Sequence, residues 1–302
     1  MKKEMYRFGM AVVLAAVLVL GIIGLVDSYS EVGVTRGVEI DELTPLVSDL
    51  AQIPQSVIED ATILGEELFG EHQDKADYFV DQLLITYLEA KDKDLVVIFN
   101  PGGWGWSLLE ASEQWQSIFA GIESVFDDKG YTLLWLDYQR TADNLLGCLD
   151  ESVQMMTDYS SKVHNLVSRV EFLTDNIPDL RVIITGESNG AVIAGGAMNI
   201  LEDNRQVYSI QTGPPFWHET AGLDRTLVIT DNGIIPDSFS RGDFMTMFWG
   251  NIRALFGMSQ PEDESGNILY YVKAPGHDYQ WCYPGVGPAI TGFLERNFQA
   301  GW

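Results

Sequence analysis

Apolar residues arrive along this chain in short dense runs separated by polar turns, and the spacing inside each run tells strand from helix. Leu95 to Asn100, Tyr131 to Asp137, Arg181 to Thr185, Val207 to Gln211 and Thr226 to Thr230 are brief and rich in branched side chains. That length and composition predict buried strands. Gln82 to Leu88 and Ile268 to Val272 have the same character and predict two more. Between them, apolar positions fall three and four apart over Ser56 to Phe69, Ser107 to Phe126, Leu149 to Thr174, Phe244 to Phe256 and Pro288 to Phe298. These stretches predict amphipathic helices. Strands and helices of these lengths in alternation predict an α/β fold, a mostly parallel central sheet with helices on both faces.

The pattern divides the chain into three parts. Residues 1–26 open with a short basic start (Lys2, Lys3, Arg7), followed by nineteen uncharged, mostly apolar residues from Phe8 to Val26. A run of that length can cross a bilayer as one helix. It is expected to be either an uncleaved N-terminal anchor or the core of a cleaved signal peptide, with Ser28 and Ser30 as weak cleavage-site residues. In both cases the basic start stays cytoplasmic and the body is exported, to the cell-membrane surface or into the medium. Residues 27–70 are an acidic approach segment and an accessory helix. Residues 71–302 are the α/β domain.

Charge narrows the partners. The formal net charge is −26. Binding phosphates needs clustered Lys and Arg, so nucleic acid is not expected as a partner. The two cysteines, Cys148 and Cys282, are far apart in sequence and are either buried free thiols or one disulfide. The four histidines are scattered, no metal-type Cys/His spacing occurs, and no cofactor is expected. Oligomeric state leaves no mark on the pattern.

The chemistry concentrates at the ends of the strands, where open α/β sheets bind ligands. Gly186-Glu187-Ser188-Asn189-Gly190 follows the apolar run Arg181 to Thr185 and leads into the Ala/Gly-rich stretch Ala191 to Leu201. Glycines on both sides of a serine at a strand-to-helix turn are the layout of a nucleophile elbow, which makes Ser188 the candidate nucleophile. Pro275-Gly276-His277-Asp278 lies between the last strand and the final helix, so His277 is the candidate base and His218 its rival. The orienting carboxylate is expected between them. Asp231, at the end of the run Thr226 to Thr230, is the first choice, and Asp237 is the second, its rival role being a helix cap. Glu219, Asp224 and Asn232 are further alternatives.

Asn100-Pro101-Gly102-Gly103-Trp104-Gly105 follows the strand stretch Leu95 to Phe99. Gly102 and Gly103, with the Asn189 N–H, can offer backbone donors to a developing oxyanion. Trp104, Trp106 and Trp217 can line an apolar acyl or alcohol pocket, or can be packing. Phe244 to Trp249 is either a core helix, a lid or a surface dipping into a bilayer.

With these motifs in order, the chain resembles the α/β-hydrolase superfamily from about Tyr78 to Phe298. Gly-Glu-Ser-Asn-Gly matches the superfamily's elbow, and its Glu is similar to that of many carboxylesterases. Pro-Gly-His-Asp resembles the histidine loop, and Ile234-Ile235-Pro236 the Val-Val-Pro that commonly follows the acid. There are three departures. The acid loop is about two residues short, so Asn232 stands at the usual acid position. The loop after the first core strand reads Asn-Pro-Gly-Gly rather than His-Gly-Gly-Gly. Only about a dozen residues follow Gln211 before the next strand, leaving little room for a cap domain. The resemblance implies a serine hydrolase that cleaves a small-molecule or lipid ester through an acyl-enzyme. Peptidase or thioesterase action, or a non-catalytic binding protein on the same fold, remain as alternatives.

Overall fold

A computed structural model describes residues 33–35, 52–70, 72–141, 143, 145–218, 222–268 and 272–299. The expected anchor or signal segment and nearly all of the approach segment lie outside the described residues. Among the described residues no helix is long and apolar enough to cross a membrane.

The helices α1 (Gln55–Phe69) and α2 (Gln73–Ala90) precede the first core strand, β2 (Leu95–Asn100). Helix α3 (Glu113–Asp127) leads to β3 (Leu133–Gln139), then α4 (Leu145–Met156) and α5 (Ser160–Asn176) lead to β4 (Arg181–Glu187). Helix α6 (Asn189–Ile200) follows, then β5 (Val207–Thr212) and β6 (Thr226–Ile229). Helix α7 (Phe244–Leu255) precedes a small hairpin of β7 (Asn267–Ile268) and β8 (Val272–Lys273), and α8 (Gly287–Asn297) closes the chain. Among the described residues the main sheet has six strands in the order β1-β3-β2-β4-β5-β6, β1 being Gly33–Thr35. Strands β2 to β6 run parallel, and β1 lies antiparallel against β3.

Alternation along the strands feeds two cores, because successive strand side chains point to opposite faces. Leu95, Val97 and Phe99 of β2 join Trp115, Ile118 and Phe126 of α3 and Ile290, Phe293 and Leu294 of α8 on one face. Val96 and Ile98 join Val57 of α1, Phe79 and Leu83 of α2, Leu166 and Val170 of α5 and Ile193 of α6 on the other. Helices therefore cover both faces of a parallel sheet. The architecture is α/β-hydrolase-like, as the element order predicts.

Four local expectations are corrected. Gln82 to Leu88 is the middle of α2 rather than a strand. Its buried positions Ala76, Phe79, Leu83, Tyr87 and Ala90 fall three and four apart, a helical stripe on which the apolar run Leu83-Leu84-Ile85 is superimposed. The helix expected over Leu149 to Thr174 is two helices. Asp158 (φ 51°) and Tyr159 (φ 56°) break it in the left-handed region, and the Tyr159 ring is buried below the break. The stretch from Ser107 becomes helical only at Glu113, where the Ser112 hydroxyl caps the Trp115 N–H at 3.3 Å. Ile268 to Val272 contributes to β7 and β8, which pair antiparallel with each other and stay outside the main sheet.

Candidate active site

Strand β4 ends at Glu187, and Ser188 then takes φ 52°, ψ −116° before α6 begins at Asn189. A positive φ on a non-glycine residue is costly and persists only where the surroundings impose it. Here the Ser188 N–H donates to the Thr212 carbonyl at 2.9 Å, and the Ala191 N–H donates to the Ser188 carbonyl at 2.9 Å. The flanking glycines make the turn sterically possible. A Cβ on Gly186 would fall 2.5 Å from the Gly190 carbonyl oxygen, and one on Gly190 would fall 2.2 Å from the Asn100 carbonyl oxygen. Helix, turn and neighbouring loop thus touch backbone to backbone. Ser188 is left 7% exposed, at the wall of a cleft of about 450 Å³.

His277 lines the same cleft, 6% exposed. Its Nδ1 lies 2.8 Å from Oδ2 of Asp237, which is fully buried. An ionised carboxylate can only accept, so Nδ1 carries the proton and Nε2 is left as the ring's basic nitrogen. Asp237 is saturated. Oδ2 also accepts from the Tyr279 hydroxyl at 2.6 Å and the Ser240 hydroxyl at 2.9 Å, while Oδ1 accepts from the Phe239 and Ser240 N–H groups at 2.8 and 3.0 Å. Burial pushes this carboxyl up, but the hydrogen bond and charge of His277, with the Tyr279 and Ser240 donors, outweigh it and hold it below its ordinary value.

Asp231, the first-choice acid, does not reach the ring. Its Oδ2 accepts from Arg241 Nη2 at 2.6 Å, its Oδ1 from the Gly233 N–H at 2.8 Å, and its side chain is 41% exposed. The second choice, Asp237, occupies the position, because the 231–236 loop folds back through an Asp231–Pro236 bridge before the chain returns to His277. Asn232 does not orient the ring either. Its amide Nδ2 donates to the Gly276 and Asp278 carbonyls at 3.2 and 2.9 Å, and its Oδ1 accepts from the Ile234 and Ile235 N–H groups at 2.8 and 3.0 Å. It staples the acid loop to the histidine loop. Of the remaining alternatives Glu219 lies outside the described residues. His218 packs behind the elbow, where a Cβ on Gly195 of α6 would meet its Nε2 at 2.5 Å.

Gly102 and Gly103 line the cleft beside Ser188, and Asn189 opens α6, where N–H groups lack intrahelical partners. The Asn189 side chain donates to the Gly103 carbonyl at 3.2 Å. The tryptophans fall elsewhere. Trp104 and Trp106 stack on each other at 6.2 Å outside the lining, and Trp217 packs edge-on against Phe239, which in turn lies edge-on to His277. The cleft is instead polar and acidic. Among the described residues Glu113, Glu187, Glu264 and Asp278 line it, no lysine or arginine does, and the aliphatic side chains are Ala111 and Ile268. No sequence signal marked Glu113 or Glu264, which approach from distant parts of the chain. Glu187 was visible only as the residue before the serine. Burial raises its carboxyl, while His277 and the Gly102 N–H act in the opposite direction.

Helix α7 forms as expected but is not a core helix. Its one buried residue is Gly250, and Phe244, Met245, Phe248 and Trp249 are all at least half exposed.

No family model matches the chain. No curated protein matches it either. Among solved structures it is similar to Trichoderma reesei cutinase in complex with a C11Y4 phosphonate inhibitor. The identity is 14%, the match covers 60% of this chain and 79% of that one, and the TM-score is 0.31. A likeness that slight has no bearing on the chemistry of this site.

Proposed function

We propose that the chain is a serine hydrolase that cleaves a carboxylic ester through an acyl-enzyme. The observation that carries the reading is the buried Asp237–His277 hydrogen bond at 2.8 Å, in a cleft shared with a serine at φ 52° on a strand-to-helix turn. Ser188 Oγ attacks the ester carbonyl carbon as its proton passes to His277 Nε2, and the carbonyl electron pair moves onto oxygen. Collapse of that adduct breaks the bond to the alcohol, which leaves with the proton from Nε2. Water, activated by the same nitrogen, then releases the acid and restores Ser188. Asp237 holds the ring in the tautomer that this sequence needs and stabilises the imidazolium formed on the way.

The carboxylates of Glu113, Glu187, Glu264 and Asp278 along the cleft favour a polar or cationic ester. An amide or thioester could use the same groups. The basic start and nineteen-residue uncharged stretch at the N-terminus support export of the body, tethered to the membrane or released from it. The asparagine at the usual acid position favours a non-catalytic protein on the same fold, and the Asp237–His277 hydrogen bond supports the hydrolase over it.

A fluorophosphonate probe tests the proposal, with p-nitrophenyl esters and aminoacyl amides run in parallel. The parent protein is expected to be labelled at Ser188 and to turn over the esters faster than the amides. A parent that resists the probe, or a Ser188→Ala variant labelled equally well, would refute it.

A further inference from the structure

Behind the glycine loop stands a charged group to which acyl transfer gives no task. Arg140 follows β3 and is completely buried. Its Nε and Nη2 donate to Oε1 of Glu151 in α4 at 3.1 and 2.7 Å, and its Nη1 donates to the Pro101 carbonyl at 2.5 Å. Its backbone N–H donates to the Gly105 carbonyl at 2.9 Å. The guanidinium lies flat against Gly105, whose φ is +81°, and a Cβ there would fall 2.7 to 2.8 Å from Nε, Cζ and Nη2. Lys162, paired with Asp150 at 3.0 Å, donates to the carbonyl of Arg140 itself at 2.5 Å. A buried ion pair is seldom more stabilising than the apolar side chains that could replace it, so stability alone does not account for this one.

Its geometry does. A trans peptide is planar, with its C=O and the following N–H pointing opposite ways. Drawing the Pro101 carbonyl back onto Arg140 therefore turns the Gly102 N–H forward. Forward is the cleft, because the Gly102 N–H donates to the Glu187 carboxyl, and both residues line the cleft beside Ser188. The next carbonyls are tied down as well. Gly102 accepts from the Gly105 N–H at 3.2 Å, Gly103 from Asn189 Nδ2 at 3.2 Å, and Trp104 from the Thr141 hydroxyl at 2.6 Å.

We propose that Arg140, anchored by Glu151, is a positioning residue that aims the Gly102 N–H at the oxyanion through the Pro101–Gly102 peptide. It touches no substrate. The inference rests on the serine-hydrolase reading and adds a residue to its machinery. In the resting cleft the aimed amide faces the Glu187 carboxyl, which the substrate oxyanion replaces.

Arg140→Lys tests it, since a lysine keeps the charge opposite Glu151 but lacks the fork that holds Glu151 and Pro101 together. A misaimed donor of this kind is expected to lower kcat on a p-nitrophenyl ester on the order of 10²-fold. KM should stay within about twofold, because the donor acts on charge that develops only in the transition state. Fluorophosphonate labelling of Ser188 should slow by a similar factor, since phosphonylation also loads charge onto that oxygen. A folded Arg140→Lys protein with parental kcat and labelling rate would overturn the proposal. Glu151→Gln, which weakens the anchor and leaves the fork, should fall between parent and Arg140→Lys in kcat with KM unchanged. A Glu151→Gln protein equal to the parent counts against the proposal. Failure of both variants to fold would assign the pair to stability and would also overturn it. A parent that neither labels nor turns over fails the hydrolase reading itself, whereas a normal parent beside an unaffected Arg140→Lys fails this inference alone.

Discussion

Asp237 divides its work between its two oxygens. Oδ1 closes the turn at Phe239 and Ser240, as a capping residue would, and Oδ2 holds the His277 ring. The cap and the orienting acid, which compete as readings of the sequence, are here one geometry. Asp237→Asn is expected to keep the turn but present the ring with the wrong partner, lowering kcat on the order of 10⁴-fold. Asp231→Asn, which loses an exposed pair with Arg241, should stay within a few-fold of the parent, as surface ion pairs contribute little. Steady-state kinetics on the two variants checks the assignment, and the opposite ranking would sink it. That Ser188 and His277 meet at one cleft is legible in the sequence through local signatures, glycines around the serine turn and a loop before the last helix. The carboxylate that contacts the His277 ring is not legible, because its position depends on how the 231–236 loop folds back, and no residue pattern encodes that path. The aromatic pocket failed for a related reason. Trp104 and Trp106 pack on each other and Trp217 on Phe239, while their sequence neighbours Gly102, Gly103, Ser107 and Ala111 line the cleft.

An element is legible in the sequence where one periodicity dominates its segment and obscured where two overlap. Strands β2 to β6 are short apolar runs with no competing helical stripe, and all five form. In α2 a strand-like run sits within a helical stripe, and the longer pattern wins because it buries Phe79, Leu83 and Tyr87 together. One element carries an electrostatic burden. Asp137, near the carboxyl end of β3, is buried and accepts from the Leu109 N–H at 2.8 Å, pinning the segment that borders the cleft. Burial, opposed by that N–H and reinforced by Glu110, raises its carboxyl from 3.8 to about 6. The folded state thus binds the proton more tightly than the unfolded chain. This site favours folding most at low pH, and the benefit is lost as pH rises from about 4 through about 6. The loss amounts to at most about 3 kcal/mol at 1.36 kcal/mol per unit. Asp137→Asn keeps an oxygen for Leu109 and removes the charge. Its Tm is expected to exceed the parent's at pH 8, with the gap closing toward pH 4. Thermal melts at both values check this, and a variant less stable than the parent at pH 8 would contradict it.

At the scale of the whole molecule, charge and apolar surface pull in different directions. A net charge of −26 repels itself within a compact fold. Raising salt from 0.01 to 0.15 M shortens the screening length from about 30 to about 8 Å. Melting temperature is therefore expected to rise by a few degrees, roughly 2–4 °C for each kcal/mol of repulsion relieved. A Tm that falls over this range would show that attractive surface pairs outweigh the repulsion. Helix α7 presents Phe244, Met245, Phe248 and Trp249 to solvent, an apolar face on a strongly acidic chain.

The strand order sets a clock on synthesis. Strand β2, apolar on both sides, sits between β3 and β4 and meets β4 in register from Leu95 opposite Arg181 to Asn100 opposite Gly186. At about 5–20 residues per second a ribosome takes on the order of 5–20 s to cover the intervening stretch of roughly 90 residues. Throughout that interval one edge of the most hydrophobic strand in the sheet has no native neighbour to pair with. The nascent chain must be shielded for those seconds, so its yield in a cell depends on chaperone supply and elongation rate as well as on the stability of the finished fold.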